Sequence, residues 1–581
     1  MKKFIKISLV VVFGFGLLEA TNFTFICKVN TKNCSNSKRL EASNKEEAKQ
    51  KVFEIFKKNC KDLNISQIYC YTTRGGAPKK RVTNDIIFTK TRVNAKEAFV
   101  APLPPKTSKY LFDKQEDLSA EEYSFIDESG FKDPLQSPLS TFSIDVDTAS
   151  YAIIRRYLML NNLFPPKGAV RIEEMINYFH YDYKYPEEKP IKINLRFGEN
   201  IWNKNNKVLH IGLQAKKIKK FPPSNLVFLI DVSGSMQSKN KLPLLKRAFK
   251  LLVSQLRAKD TVSIVVYAGT SGLVLNGARG DQKEKIIKAI DSLRAGGSTA
   301  GGEGIKLAYK IARENFIKGG NNRVILATDG DFNVGVRSES ELIDLIEKEK
   351  KDGIFLSVLG FGSGNYKDSR MEKLADKGDG NYAYIDNLLE AKKVLVKQMG
   401  ATLFSVAKDV KIQVEFNPAL VKKYRLVGYE NRKMANEDFS NDKKDAGEIG
   451  AGDQVSALYE IKLREKNATI KSPLKYQTPQ LKKTQELATI KIRYKDVNAS
   501  KSKLLEKVVT LKSNEIKDED FFFAQDVASF GMILRDSKYK GNITLKEVLE
   551  IAKKYKGKDP EGYRADFIKL VEKALLLKET K

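Results

Sequence analysis

Histidine is almost absent from this 581-residue chain, which contains only His180 and His210. Neither lies between residues 224 and 402, the block that holds the serines and aspartates considered below. A serine nucleophile in that block would have no histidine as general base, and no Gly-x-Ser-x-Gly elbow occurs in the chain. We therefore expect a protein that is not an enzyme, with a metal-dependent hydrolase as the less favoured alternative.

Cysteine is scarce and confined to one part of the chain. All four cysteines, Cys27, Cys34, Cys60 and Cys70, lie near the N-terminus. They form no Cys-x-x-Cys pair, and both histidines are distant in sequence, which disfavours a zinc site. An even number of cysteines in an exported chain favours two disulfides, and the three possible pairings remain open.

A marked apolar run occurs at the N-terminus. Three lysines precede an apolar stretch of about a dozen residues, from Ile7 to Leu18, and Ala20 is a suitable cleavage edge. This layout predicts a signal peptide over residues 1–20 and export to the periplasm or the cell envelope or surface. A membrane span needs about 20 apolar residues, so we expect no transmembrane domain beyond this segment. An uncleaved N-terminal anchor is the alternative.

Acidic residues are outnumbered by basic ones. The chain has 72 aspartates and glutamates against 103 lysines and arginines, a formal net charge of +31. Such a charge attracts anionic surfaces, and an envelope scaffold that binds anionic surface components is therefore an alternative function. The lysines are spread along the chain, and no arginine-rich or aromatic-interleaved motif typical of nucleic-acid binding stands out. We do not expect nucleic acid as a partner.

Changes in sequence pattern divide the chain into eight segments. Apolar residues alternate with polar ones, as in half-buried β-strands, in two regions that flank a block of different pattern. Glycine and proline breakers mark a linker, and helical periodicity marks the C-terminus. The predicted segments are 1–20 (signal peptide), 21–72 (disulfide-stapled, βαβ-like cysteine module), 73–137 (linker), 138–188 (N-terminal flank), 189–222 (first β-sandwich strands), 224–402 (α/β domain), 403–510 (second β-sandwich strands) and 515–581 (helical segment).

Residues 224–402 predict a doubly wound, mostly parallel sheet. Short apolar runs without alternation, such as LVFLI at residues 226–230, are separated by amphipathic helical patterns. Strands that are buried on both faces and joined through helices form parallel sheets. Because alternating strands occur on both sides of this block, we expect the α/β domain to be inserted into a β-sandwich.

Asp145 and Asp147 lie in the flank, where a short strand leads into a helix. Two carboxylates at this spacing could bind a metal ion. A strand-end polar residue and a helix cap, with Asp147 and Thr148 as capping candidates, explain them more simply. We therefore do not count these aspartates among the expected ligands.

Oxygen-bearing side chains occupy three loops of the α/β block. Asp231, Ser233 and Ser235 come at the end of its first strand, Thr299 lies in GGSTAGGEG ahead of a helix, and Asp329 follows RVILAT. Loops at the carboxyl ends of the strands form the ligand site of an open α/β sheet. Two carboxylates and three hydroxyls suit Mg2+, with Mn2+ or Ca2+ also compatible. Five protein ligands at most leave a position open for an acidic side chain of a partner.

The stretches DVSGSM, GGSTAGGEGI and LATDGDFNVG, in this order and spacing, resemble the three loops of a von Willebrand factor type A (vWA) domain with an intact metal-ion-dependent adhesion site. The resemblance implies that Ser233, Ser235 and Thr299 bind the ion directly or nearly so. It implies that Asp231 and Asp329 act largely through water. Residues 138 to about 575 also resemble a bacterial family of exported vWA proteins whose flanking segments have no established activity.

These features predict an exported adhesion-type module that uses Mg2+ to coordinate an Asp or Glu of a protein partner. Two other interpretations of the loops are weaker. GGSTAGGEG lacks the spacing of a phosphate-binding loop, since Lys306 lies within the following helix. Asp329, Asp331 and Asn333 are spaced as in a calcium loop, but the expected glycine is one position late, at Gly335.

Overall fold

The computed structural model describes residues 121–581, except 269–270, 298–300, 331, 333–338, 466–480, 483, 498, 513–517 and 581, together with three strands near the N-terminus. The chain divides into two units, Met1–Lys109 and Tyr110–Lys581. The predicted signal peptide lies outside the described residues. Within the described part, no helix has both the length and the apolar character needed to cross a bilayer.

The N-terminal unit contains a three-stranded antiparallel sheet. Strand β1 (Phe23–Thr31) lies between β2 (Cys34–Ala42) and β3 (Ile68–Thr72). The prediction of a βαβ-like module was wrong here, because a βαβ unit has parallel strands. The sequence of β2, CSNSKRLEA, is too polar to be recognised as a strand, and it is stabilised by hairpin pairing with β1.

The described residues do not support the two disulfides predicted for this unit. The register between β1 and β3 places Cys27 opposite Cys70, and Cys34 begins β2. Cys60 lies outside the described residues. The pairing of the cysteines stays a prediction.

The larger unit has its elements in the following chain order. The flank and first sandwich strands are β4 (Leu139–Ser143), α1 (Ala149–Arg155), α2 (Ile172–Asn177), β5 (Ile191–Glu199) and β6 (Lys207–Ala215). The α/β domain contains β7 (Ser224–Asp231), α3 (Leu242–Gln255), β8 (Thr261–Tyr267), β9 (Ser271–Arg279), α4 (Lys283–Ser292), α5 (Gly301–Glu314), β10 (Asn321–Thr328), α6 (Glu339–Lys351), β11 (Ile354–Phe361), α7 (Asp368–Lys377), β12 (Tyr382–Ile385), α8 (Leu388–Lys392) and α9 (Met399–Leu403). The remainder contains β13 (Ser405–Phe416), β14 (Val421–Val427), β15 (Gly447–Gly450), β16 (Gln454–Leu463), β17 (Glu486–Lys495), β18 (Lys503–Thr510), α10 (Glu519–Leu534), α11 (Leu545–Lys554) and α12 (Tyr563–Glu579).

The α/β domain is built on a six-stranded sheet that is parallel except at one edge. The strand order is β12-β11-β10-β7-β8-β9, and only β9 runs antiparallel to its neighbour. Every residue of β7 and β10 is buried, which explains why their sequences lack alternation. The predicted α/β fold is confirmed.

Two antiparallel sheets pack around a common apolar core beside this domain. One sheet has the order β15-β13-β17-β18, with β4 also paired to β13, and the other has the order β14-β16-β6-β5. Both sheets contribute buried residues to the core, among them Ile412 and Leu213. Because β6 precedes the α/β domain and its partner β16 follows it, the α/β domain is inserted into this sandwich.

The two ends of the insertion meet at one turn of the sandwich. The backbone N–H of Gly452 donates to the carbonyl of Lys216, which precedes the α/β domain. The N–H of the neighbouring Ala451 donates to the carbonyl of Phe404, which follows it. The domain is therefore attached to the sandwich by two adjacent connections.

Part of the predicted linker is bound to the larger unit. Isolated β-bridges pair Glu122 with Lys367 and Lys132 with Tyr424. The linker that was predicted to reach residue 137 therefore ends earlier. These contacts could not be predicted from the loop-like composition of the segment, because they are made by the backbone.

Of the two capping candidates, Thr148 is the N-cap residue of α1, although its side chain makes no capping hydrogen bond. The capping role predicted for Asp147 was wrong. Asp147 instead accepts a hydrogen bond from the backbone N–H of Tyr382 in β12, at 2.9 Å. The N–H of Asp147 in turn donates to Oδ1 of Asp145 at 2.9 Å.

Candidate metal centre

The predicted ligand Asp231 ends β7, in the middle of the carboxyl edge of the sheet. Its side chain is completely buried. Oδ1 accepts a hydrogen bond from the N–H of Ser233 at 2.9 Å, and Oδ2 accepts from the hydroxyls of Tyr267 and Thr328, each at 3.2 Å. The donors come from the ends of β7, β8 and β10, so the parallel arrangement of these three strands fixes the orientation of the carboxylate.

The two predicted serine ligands lie side by side. Oγ of Ser233 is 2.9 Å from Oγ of Ser235. Ser233 is buried and Ser235 is exposed. The turn between them is held by the N–H of Gly234, which donates to the carbonyl of Gly297 at 3.0 Å. One hydroxyl therefore lies in the floor of the site and the other reaches solvent.

Asp329 follows β10, and its carboxylate lies beside a lysine that the sequence analysis did not identify. Oδ2 of Asp329 is 3.0 Å from Nζ of Lys241, and both side chains are buried. The lysine stem packs on Gly362, where a Cβ atom would lie 2.4 Å from it, and the φ of +75° at this glycine also disfavours other residues. Thr299 lies outside the described residues.

The electrostatics of the site favour a cation. Burial, together with the negative charge of Asp329, raises the pKa of Asp231 to about 6, against the opposing effect of the hydrogen bonds. A bound cation would stabilise the charged form of such a carboxylate pair. The available donors are carboxylate and hydroxyl oxygens, which are the ligands that Mg2+ prefers. The residues present therefore fit a divalent cation.

Replacing Lys241 by methionine is expected to raise the affinity for Mg2+ at least tenfold. Even in bulk water, a single and a double positive charge about 5 Å apart repel each other by about 1.7 kcal/mol, so the ammonium beside Asp329 competes with the ion. Isothermal titration calorimetry with Mg2+ measures the change. Lys259→Met, at an exposed lysine of the same domain, is the control. Reduced affinity in Lys241→Met would instead show that the lysine is needed to orient Asp329.

Comparison with protein families assigns the class of the protein. The model described as von Willebrand factor type A domain matches residues 225–398, and one described as von Willebrand factor matches residues 117–210. The model described as Uncharacterized protein YfbK, C-terminal, matches residues 401–577. The chain is a vWA domain protein with a C-terminal domain of the YfbK type.

A similar relative narrows this assignment. The chain is 45% identical to YfbK of Escherichia coli (strain K12) over 466 residues, which cover 78% of this chain and 80% of that protein. The chain therefore belongs to the YfbK family of vWA proteins, and the predicted family is confirmed.

Other similarities are more distant. Protein sll0103 of Synechocystis sp. is 30% identical over 172 residues, which cover 29% of this chain and 39% of that protein. Among solved structures, von Willebrand factor type A from Catenulispora acidiphila is similar with a TM-score of 0.37 and 15% identity, over 65% of this chain and 89% of that one. The family models and the YfbK relative, rather than such similarities, identify the family.

Proposed function

We propose that the protein is an exported, metal-dependent protein-binding module of the adhesion type. In this proposal Mg2+, with Mn2+ or Ca2+ as substitutes, is held by Asp231, Ser233, Ser235, Thr299 and Asp329 and coordinates an Asp or Glu of a protein partner. The observation that carries the proposal is the buried carboxylate of Asp231, fixed by three donors beside two adjacent hydroxyls at the carboxyl edge of the sheet.

Asp231, Ser235 and Lys241 have distinct roles in this proposal. Asp231 orients the turn that carries both serines, because it accepts the N–H of Ser233. Ser235 is exposed, so its hydroxyl lies where a partner can approach. Lys241 adds a positive charge beside Asp329, and this charge favours an incoming carboxylate. The bound ion supplies an electrophilic position for that carboxylate.

A binding role is better supported than catalysis. The α/β domain contains no histidine. His210 lies in β6 of the sandwich, where it is buried and its Nε2 is 2.7 Å from the hydroxyl of Tyr183. Burial lowers the pKa of His210 well below its usual value, so it stays neutral. A hydrolase would need another general base next to Ser233 or Ser235.

Removal of the divalent ion tests the proposal. The tagged protein should capture a partner from envelope extract in the presence of Mg2+, release it when a chelator is added, and rebind it when Mg2+ is restored. Ser233→Ala/Ser235→Ala should fail to capture the partner, whereas Ser254→Ala, at an exposed serine of α3, should behave as the parent.

The same experiment distinguishes the scaffold alternative. Binding through the basic surface weakens strongly with ionic strength, because salt screens exposed charges over about 10 Å at 0.1 M. Capture that is lost in high salt but unaffected by chelator and by the serine substitutions would contradict metal-bridged binding.

A further inference from the structure

Residues 121–124, which we call the strap, lie along the loop that follows β11 at the carboxyl edge of the sheet. The backbone N–H of Glu122 donates to the carbonyl of Tyr366 at 2.9 Å, and Oγ of Ser124 donates to Oγ of Ser369 at 2.7 Å. The chain before the strap leads back to the N-terminal unit. The strap therefore connects the end of the linker to the edge of the sheet that holds the vWA site.

Glu121 makes the buried contact of the strap, with a side chain that is 1% exposed. Its carboxylate accepts two hydrogen bonds from the guanidinium of Arg156, at 2.9 and 2.6 Å. It also accepts from the hydroxyls of Tyr123 and Tyr157, at 2.6 and 2.8 Å, and from the backbone N–H of Gly364, at 2.9 Å. Burial opposes the charge of Glu121, but Arg156 and the hydrogen bonds hold its pKa below the usual value.

The same arginine connects the strap to the vWA site. The guanidinium of Arg156 donates to the carbonyl of Gly362 at 3.0 Å. Gly362 in turn packs against the stem of Lys241, whose Nζ lies 3.0 Å from Oδ2 of Asp329. Gly362 is therefore held from the side of the strap and limits the position of the lysine on the other side. A continuous series of contacts connects Glu121 with the carboxylate of a predicted metal ligand.

Burial of Arg156 strongly favours the bound position of the strap. The arginine side chain is 2% exposed, and in the described part of the chain Glu121 is the carboxylate recorded in an ion pair with it. A buried charge that loses its partner is strongly destabilised, so the strap has one well-defined bound state. Release of Glu121 would therefore free Gly362 and the stem of Lys241 together.

We propose that the strap regulates the vWA site, with Glu121 as a positioning residue that keeps the ammonium of Lys241 beside Asp329. This inference rests on the proposed function, because it concerns the affinity of that same site for Mg2+. While the strap is bound, the ammonium competes with the ion for Asp329. When the strap is released, Lys241 can move away and the affinity for the ion rises. A partner that displaces residues 121–124 would thus activate the site.

The reactivity of the Lys241 amine tests the strap in the absence of metal. The full-length protein, kept in chelator, is treated with an amine-acetylating reagent, and mass spectrometry gives the rate of acetylation at Lys241. Glu121→Gln should raise this rate at least about tenfold, because loss of a buried ion pair shifts an opening equilibrium by more than that factor. Glu122→Gln is the matched control, since this side chain of the same strap is 72% exposed, and it should react as the parent.

A double-mutant cycle on Mg2+ affinity separates regulation through Lys241 from general loosening of the site. In isothermal titration calorimetry, Glu121→Gln should raise the affinity for Mg2+ by about three- to tenfold, since a displaced ammonium repels the ion less. In a Lys241→Met background the same substitution should have no effect, because residues that act through one another are not additive. A lower affinity in both backgrounds would mean that the substitution merely loosens the site, and it would overturn the proposal.

Two further results separate this proposal from the proposed function. Equal acetylation of Lys241 in the Glu121→Gln and parent proteins would overturn the role of the strap, whether or not Mg2+ binds. Faster acetylation without Mg2+ binding in any variant would contradict the proposed function, and regulation of the site with it. If Glu121→Gln does not fold, as judged by circular dichroism, Tyr157→Phe takes its place with the same expected directions, because it removes one donor to the Glu121 carboxylate.

Discussion

Asp231→Asn is expected to weaken Mg2+ binding by about 10- to 100-fold. This is the usual effect of changing a residue that orients the ligands of a metal ion instead of binding the ion directly. The substitution keeps the size of the side chain but removes its negative charge. It also places an amide group where Asp231 now accepts hydrogen bonds on both oxygens. The turn that presents Ser233 and Ser235 should loosen in consequence. Isothermal titration calorimetry with Mg2+ measures the affinity, and partner capture should fall in parallel.

Asp281→Asn is the matched control for this substitution. Asp281 lies in the same domain, is exposed, and pairs with Arg279 at the surface, so its charge is remote from the site and screened. The Mg2+ affinity of the Asp281→Asn protein should equal that of the parent. An Asp231→Asn protein that is folded and binds Mg2+ as tightly as the parent would exclude this aspartate from the metal centre.

Arg155→Met is expected to lower the free energy of unfolding by about 3–5 kcal/mol, the typical result of removing one partner from a buried ion pair. Arg155 in α1 contacts Asp386 at 2.6 Å, Glu390 at 2.7 Å and Asp566 at 3.1 Å. Asp386 and Glu390 are buried, and methionine would leave both without this cation. Burial already raises the pKa of Asp386, and Arg155 is the main influence that lowers it.

Urea unfolding measures this loss, and Arg279→Met is the control because its side chain is 63% exposed. The three acids belong to the α/β domain and to the C-terminal helix α12, so the substitution should destabilise the contact between these parts and the flank. A loss below about 1 kcal/mol, the range of a surface ion pair, would contradict a structural role for Arg155.

The sequence was sufficient to predict the central sheet and the residues at its edge. The run LVFLI has the apolar character of a strand buried on both faces, and β7 is buried throughout. Asp231, Ser233 and Ser235 occupy alternate positions of one turn, so their proximity follows from the chain itself. Asp329 could be added because parallel strands end at the same edge.

Residues that reach the same place through tertiary structure could not be predicted. Lys241 contacts Asp329 only because the turn after β7 lies next to the end of β10. Tyr267 and Thr328 donate to Asp231 from the ends of their strands. The residues directly before them are apolar, so nothing in the sequence marks either one as a donor to the site. Asp145 was assigned to a local role because Arg432, which contacts its carboxylate, is distant in sequence. Local patterns identify local contacts, and long-range polar contacts require the fold.

The insertion of the α/β domain also bears on the order in which the chain folds. Strand β6 must pair with β16, and the residues between them would form a very long loop if they were unstructured. Loop closure becomes more costly with length, by about 0.6 kcal/mol for each doubling. Once the α/β domain has folded, its ends lie at the single turn formed by Ala451 and Gly452, so most of that entropy has already been lost. The sandwich strands made first during synthesis therefore lack a neighbouring strand along one edge until the inserted domain is complete.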